Sequence, residues 1–573
     1  MTKTHARDAH GSQVRRALLA VLLATAGIAD AQAPDLVLLD GKIVTVDAQQ
    51  SLREALAIRD GKVAALGTTA EIRALAGPDT RVVALGGRTV IPGLIDSHLH
   101  AIRAALSFST EVNWIGARSL DEALDRIRAA ARRRPPGSWL IVAGGWNELQ
   151  FAERRRPTQA ELEAAAPNNP VYVQLGYGWV VMTDDGFTKL GIVSDTDLPS
   201  GGRLERDGER ATGAISGGQG AIIALFDRLP KPTPVQQVEG TKAFFHELNR
   251  LGMTGVVDPG GNNLFAADYQ ALFDVWRSGG LTVRVAYSLN GQTAGEEFAE
   301  LKGLTALLPM GFGDELVHFN GLGERITFAM NNNPAPSDAD KERYYEIVRW
   351  AAERGMAITM HWGPDGTVHH LLDVFERVNR DVPIAPLRWS IAHLNDASED
   401  SLRRMAALGV GWTVQDAMYF GGEQLVRTQG PDAARRIPPV VTGERLGVHI
   451  GAGTDAHRVA SYNPFTALQW FLDGKTVAGT PIRGPKETPD RLTALRFYTL
   501  GSAWFSFDDD VRGSLEVGKL ADLAVLSADY LSVPTDEVGR IESLLTLLGG
   551  RVVYAAGEFA ALSSSERAAL PPR

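Results

Sequence analysis

Short apolar runs bounded by Gly and Asp turns occupy both ends of the chain, while a longer alternation of apolar strands and amphipathic helices fills the middle. At the N-terminal end the runs are 35–39, 42–46, 56–58, 62–66 and 81–84, and Asp40-Gly41 and Asp60-Gly61 are hairpin-turn signals. Residues 513–515, 521–526 and 551–554 repeat this texture near the C-terminus. Two β-rich ends around a different middle predict one discontinuous β-sandwich, from 34–91 and 507–573, with a larger domain at 92–506 inserted between its halves. That domain shows apolar strands at 90–95, 255–258, 281–289, 316–319, 357–361, 388–393, 410–415 and 448–455, most of them separated by helical patterns such as 343–354 and 399–408. Such alternation predicts an α/β fold, a distorted (β/α)8 TIM barrel. Residues 110–240 exceed its needs, carry Gly, Pro and Trp clusters, and are expected to form an insertion over the barrel mouth.

Length supports this division, because 573 residues exceed one simple core. The net charge of −10 comes without a basic patch, which argues against nucleic acid as a partner. The absence of cysteine excludes disulfides, thiol nucleophiles and thiolate metal sites. Any metal must therefore be held by imidazole, carboxylate or a modified lysine. Arg15-Arg16, the apolar run 17–28 and Ala31-Gln32-Ala33 form a basic, apolar and small-x-small series. The expectation is a signal peptide over 1–33, cut after Ala33, and an exported, periplasmic or secreted protein. The paired arginines also allow twin-arginine export. The apolar run is too short to span a bilayer.

His98-Leu99-His100 is the most informative motif. Side chains two apart on a strand point to the same side, so both imidazoles can face one ion. Barrel enzymes place their chemistry at the C-terminal strand ends. Those ends here carry His98 and His100, His361, His393 and Asp455, although the chain has only 12 histidines. Neutral imidazoles hold a Zn2+-like ion without cancelling its charge, and such an ion brings the pKa of bound water towards ~7. Asp455 is the candidate to accept that proton and pass it to a leaving group.

The segment 92–100, Pro-Gly-Leu-Ile-Asp-Ser-His-Leu-His, resembles the first metal motif of the amidohydrolase superfamily. His361 with the helix that follows it, the stretches 387–393 and 451–455, and the stretches 495–499 and 513–523 resemble the branch that includes N-substituted formamide deformylases, amidohydrolase family 3. In pieces the likeness runs from about residue 35 to 558. It implies a metal-dependent hydrolase with a distorted barrel and a composite β-sandwich. Members of this branch often carry a carboxylated lysine on the fourth strand, bridging two metals. The corresponding stretch 317–324 contains no lysine. Either one ion is held, or Glu324 substitutes as the bridging carboxylate.

Gly144-Gly145-Trp146-Asn147 resembles the Gly-Trp segment that faces the site in this branch, which makes Trp146 a candidate apolar wall and Asn147 a polar contact. Tyr177 and Trp179 are further candidates. Gln415 ends the seventh strand and His457 follows Asp455, so both are candidates for touching substrate. His246, His369 and His370 fall on helical stretches and are read as structural or exposed. The expected activity is hydrolysis of a C–N bond in a small amide-like substrate. An ester or lactone hydrolase using the same site, or a silent binding protein of the same fold, are the alternatives. The cofactor expectation is a divalent metal, Zn2+ or similar, as one ion or two. The expected partner is a small-molecule substrate, with no nucleic acid and no membrane span, and a homo-oligomer remains open.

Overall fold

The computed structural model describes residues 32–563. The leader expectation therefore falls, but for its last two residues, outside the described residues.

Both chain ends contribute to one pair of sheets. Strands Leu36–Leu39, Ala55–Arg59, Lys62–Gly67 and Arg81–Ala84 form a four-stranded sheet. A six-stranded sheet joins Lys42–Val44, Leu52–Arg53 and Thr89–Pro92 to the C-terminal strands Leu523–Leu526, Ser543–Leu548 and Arg551–Ala555. Leu38, Ile43, Leu56, Val90, Leu523 and Leu547 share the core between the sheets. Asp60 and Gly61, at φ 51° and 74°, make the hairpin turn their sequence predicts. Asp40-Gly41 does not. The strands on either side of it lie in different sheets, so this turn is a corner between layers. The stretch 513–515 forms no strand, although Leu515 is buried in the same core.

The barrel strands are β1 Leu94–Asp96, β2 Met253–Asp258, β3 Arg284–Leu289, β4 Val317–Leu322, β5 Thr359–Trp362, β6 Ser390–His393, β7 Gly411–Gln415 and β8 Ile450–Gly453. Nearly every residue of these strands is buried, as expected for parallel strands covered on both faces. The expected strand 90–95 is in fact two. Gly93 interrupts it, so that Thr89–Pro92 belongs to the sandwich and β1 to the barrel. A side chain at Gly93 would overlap Thr254, and this close approach leaves room only for glycine.

The strands pair as two four-stranded arcs, β1 to β4 and β5 to β8. The arcs meet at two seams with few ladder bonds. At one seam Leu322 N–H donates to Ala357 O (3.0 Å) and His361 N–H to Glu324 O (3.0 Å). At the other, Ser97 N–H donates to Ala452 O (2.9 Å) and Asp455 N–H to His98 O (2.8 Å). Each seam thus ends in a backbone bond between two of the predicted site residues.

Much of the surplus segment folds into its own layer. Strands Leu140–Val142, Val171–Leu175, Trp179–Met182, Arg203–Asp207 and Arg210–Ser216 form a five-stranded sheet, and helix Leu120–Arg133 covers it around Trp114, Trp146 and Phe151. The barrel resumes with helix Pro234–Arg250, begun by a Thr233/Gln236 capping box with Pro at its start. No helix among the described residues is long and apolar enough to cross a membrane.

Candidate metal centre

Six predicted side chains converge at the C-terminal end of the barrel. Glu324 lies at their centre, 8% exposed and two residues past the end of β4. Its Oε2 is 3.3 Å from His98 Nε2 and 3.3 Å from His361 Nδ1, and its Oε1 is 3.5 Å from His100 Nε2. His393 Nε2 is 4.0 Å from Glu324 Oε2 and 2.8 Å from His361 Nδ1. On the opposite side, Asp455 Oδ1 is 3.1 Å from His100 Nε2 and 3.7 Å from His98 Nε2. Donor atoms of His98, Glu324 and His393 lie within 4.8 Å of one another, and so do those of His98, His100 and Asp455.

The residues fit a divalent cation. Both ring nitrogens of His98 are buried without a hydrogen-bond partner among the described residues, an expensive state unless an ion uses one of them. The His100 Nδ1 donates to Gly260 O at 2.5 Å, which leaves Nε2 as the free lone pair facing the carboxylates. Burial, reinforced by the neighbouring His361, pushes His393 down to about 3, so its ring stays neutral and able to donate. Burial alone would raise the Glu324 and Asp455 carboxyls, but the surrounding imidazoles hold both below their ordinary values. Two acids among four imidazoles supply hard and borderline donors of the kind Zn2+ takes. Glu324 stands between the His98/His100 and His361/His393 pairs, so its carboxylate could serve donors on both sides.

A supporting layer holds these groups. Asp96 Oδ1 accepts from the His98 N–H (2.9 Å) and the Thr454 N–H (3.2 Å), and its Oδ2 accepts from the Thr454 hydroxyl (2.7 Å). Asp258 accepts from the Ile102 and Gly260 N–H groups and so fixes the loop whose carbonyl orients His100. His393 and Asp455 adopt left-handed backbone, φ 72° and 56°, uncommon for such residues and typical of sites where geometry is imposed.

The profile of an amidohydrolase family matches residues 81–554. This chain belongs to the amidohydrolase family. It is 27% identical over 551 residues to an N-substituted formamide deformylase from Arthrobacter pascens, covering 91% of this chain and 99% of that one. Its fold resembles an uncharacterised metal-dependent hydrolase from Pyrococcus horikoshii, with a TM-score of 0.63 and 22% identity over 87% of this chain and 99% of that chain. It also resembles an atrazine chlorohydrolase from Arthrobacter aurescens solved with zinc, with a TM-score of 0.54 and 16% identity over 94% of this chain and 100% of that chain.

The remaining candidates of this amidohydrolase lie elsewhere or act indirectly. Trp146 is 2% exposed, stacks on Phe151 and donates its Nε1–H to Gln174 O, so it is core of the insertion. Asn147 caps the following turn and donates to Phe420 O. The Gly-Gly before them has a different purpose. A Cβ on Gly144 would come within 2.3 Å of Arg458 O, so glycine lets the insertion press onto the loop after Asp455. Gln415 is fully buried, accepts from the His393 N–H and donates to Thr413, and thereby positions His393. His457 pairs with the buried Glu111 at 3.2 Å. Asp96, Asp258 and Arg103 were not singled out. Asp96 and Asp258 end barrel strands and were visible by that position, whereas Arg103, on the helix after His100, carried no sequence signal.

Proposed function

We propose that the protein is a metal-dependent amidohydrolase that cleaves a C–N bond of a small amide-like substrate, with Zn2+ or a similar divalent ion. One observation carries this reading: Glu324 among four histidines, with Asp455 facing the same pair from the other side. The formamide deformylase relative supports the amide, and the zinc-containing structural relative supports the metal.

His98, His100, His361, His393, Glu324 and Asp455 would hold one ion or two. Bound there, a divalent ion supplies Lewis acidity to a carbonyl and acidity to water. Asp455 meets His100 through Oδ1, which orients its carboxylate and leaves the other oxygen for proton transfer. Held ionised by its neighbours, that oxygen accepts a proton from the attacking water and returns it to the departing nitrogen. Asp96 and Gln415 keep the His98 and His393 backbones in register during this exchange.

A panel of N-formyl and N-acetyl amines and amino acids, with ester analogues of each, tests the bond class. Amide cleavage that stops on chelation and returns with Zn2+ is expected. Cleavage of the esters alone would overturn the C–N assignment. The basic and apolar N-terminal pattern supports export, and N-terminal sequencing of the exported protein should begin near Pro34. A mature chain starting at Met1 would contradict export.

A further inference from the structure

A cavity of about 480 Å3 is lined in part by Arg103, three residues after His100. Leu106, Ile223, Phe226 and Phe265 give it apolar walls, and its charged lining includes Arg103, Lys231, Arg458, Asp227 and Asp268. Most of those charges are already satisfied. Lys231 pairs with Asp227 at 2.7 Å, Arg458 with Glu111 at 3.5 Å, and Asp268 accepts the Phe265 N–H at 2.7 Å.

Arg103 is different. Its Nε is buried with no hydrogen-bond partner among the described residues. It projects from helix Ala101–Ser107, directly after His100, lines the cavity, and is close enough to Glu324 and Asp455 to feel their charge. A Cβ on Gly261 would stand 3.5 Å from Arg103 Nη1 and 3.5 Å from His100 Nδ1, so the guanidinium head lies within about 7 Å of the His100 ring. Burial opposes its charge, while Tyr177, Glu324, Asp455 and Asp258 favour it. A divalent ion on Glu324 and Asp455 would draw on two of those counter-charges, leaving Asp258 as the remaining carboxylate for a partly buried cation at the cavity wall. A planar fork of donors in that position suits a carboxylate.

We propose that Arg103 is a specificity residue for a carboxylate on the substrate, so that the preferred amides are anionic and carry an apolar group that fills the Phe226/Phe265 side of the cavity. This rests on the amidohydrolase reading given above. Tyr177, from the hairpin between Val171–Leu175 and Trp179–Met182, lines the same cavity.

Two matched substrates test it on the metal-loaded protein: racemic N-formyl-phenylalanine and N-formyl-phenethylamine, which share the scissile bond and the phenyl group but differ in the carboxylate. The parent should favour the acid in kcat/KM, and Arg103→Gln should erase this preference, chiefly through a rise of roughly 10–100-fold in KM for the acid. Arg103→Lys should restore part of it. A parent that favours the neutral formamide, or a variant that loses both substrates by one factor, would overturn the proposal. Calorimetry with 3-phenylpropanoate and 3-phenylpropanol separates this inference from the amide assignment, because it needs no turnover. Binding of the acid by the parent, weakened by Arg103→Gln, supports the carboxylate site even if no formamide is cleaved. Acid binding unchanged in that variant, or no binding, counts against it.

Discussion

Glu324 Oε2 stands 3.3 Å from His98 Nε2, a buried nitrogen with no hydrogen-bond partner among the described residues. This acid stands in the stretch where the resemblance to the branch leads one to expect a bridging lysine. Glu324→Ala should lower metal affinity by more than the roughly 10–100-fold typical of losing a supporting hydrogen bond to a ligand. Metal titration of parent and variant measures the difference. Equal affinity would show that Glu324 is no ligand.

Asp455→Asn keeps the size of the side chain and removes its ability to take a proton. Turnover should fall by about 10^2–10^4-fold, with an unchanged far-UV circular dichroism spectrum. Near-parental kcat in that variant would remove Asp455 from the proton path.

Gly453 is required by close contact. A Cβ there would lie 2.7 Å from Asp96 Oδ1 and 2.8 Å from the backbone nitrogen of His98. Gly453→Ala should break the Asp96–His98 bond, cost about 1–3 kcal/mol of stability and weaken metal binding. Gly303→Ala, in helix Glu297–Leu304 with nothing within 4 Å of the new methyl, is the matched control and should leave both unchanged or slightly improve stability. Thermal melts with and without Zn2+ compare the two.

Far from the metal, His449 stacks on Trp504 at 4.2 Å and donates to Gly501 O at 3.1 Å. Burial lowers its pKa to about 4. The unfolded chain therefore takes up a proton near pH 6.5 that the folded chain refuses, and stability falls as pH drops from about 6.5 to about 4. His449→Gln should flatten this part of the Tm–pH profile relative to the parent. Parallel profiles would show that His449 contributes nothing to it.

The converging side chains were legible because parallel barrel strands read as apolar runs, and His98, His361, His393 and Asp455 each stand near or just past the end of one. Glu324 was legible only as an acid standing where a lysine was expected, since one sequence cannot say whether an acid beside Arg325 points in or out. The structure turns it inward, and Arg325 is engaged with Gly291 O and Gln292 instead. Trp146 looked like a pocket wall because a Gly-Gly pair before an aromatic is ambiguous locally. The glycines serve the contact with Arg458, and the aromatic turns away into the insertion core. Asp40-Gly41 read as a hairpin because turn chemistry specifies a reversal of the chain but not which sheet receives the next strand. Arg103 was invisible for a related reason, since an arginine on a helix is ordinarily a solvated charge and only the folded chain buries its Nε without a partner among the described residues.

The most direct test of the metal centre is elemental analysis of the purified protein with His98→Ala and Glu324→Ala beside it. One or two equivalents of a divalent metal in the parent, reduced in both folded variants, is the predicted result. A folded, hydrolytically active parent without stoichiometric metal would contradict it.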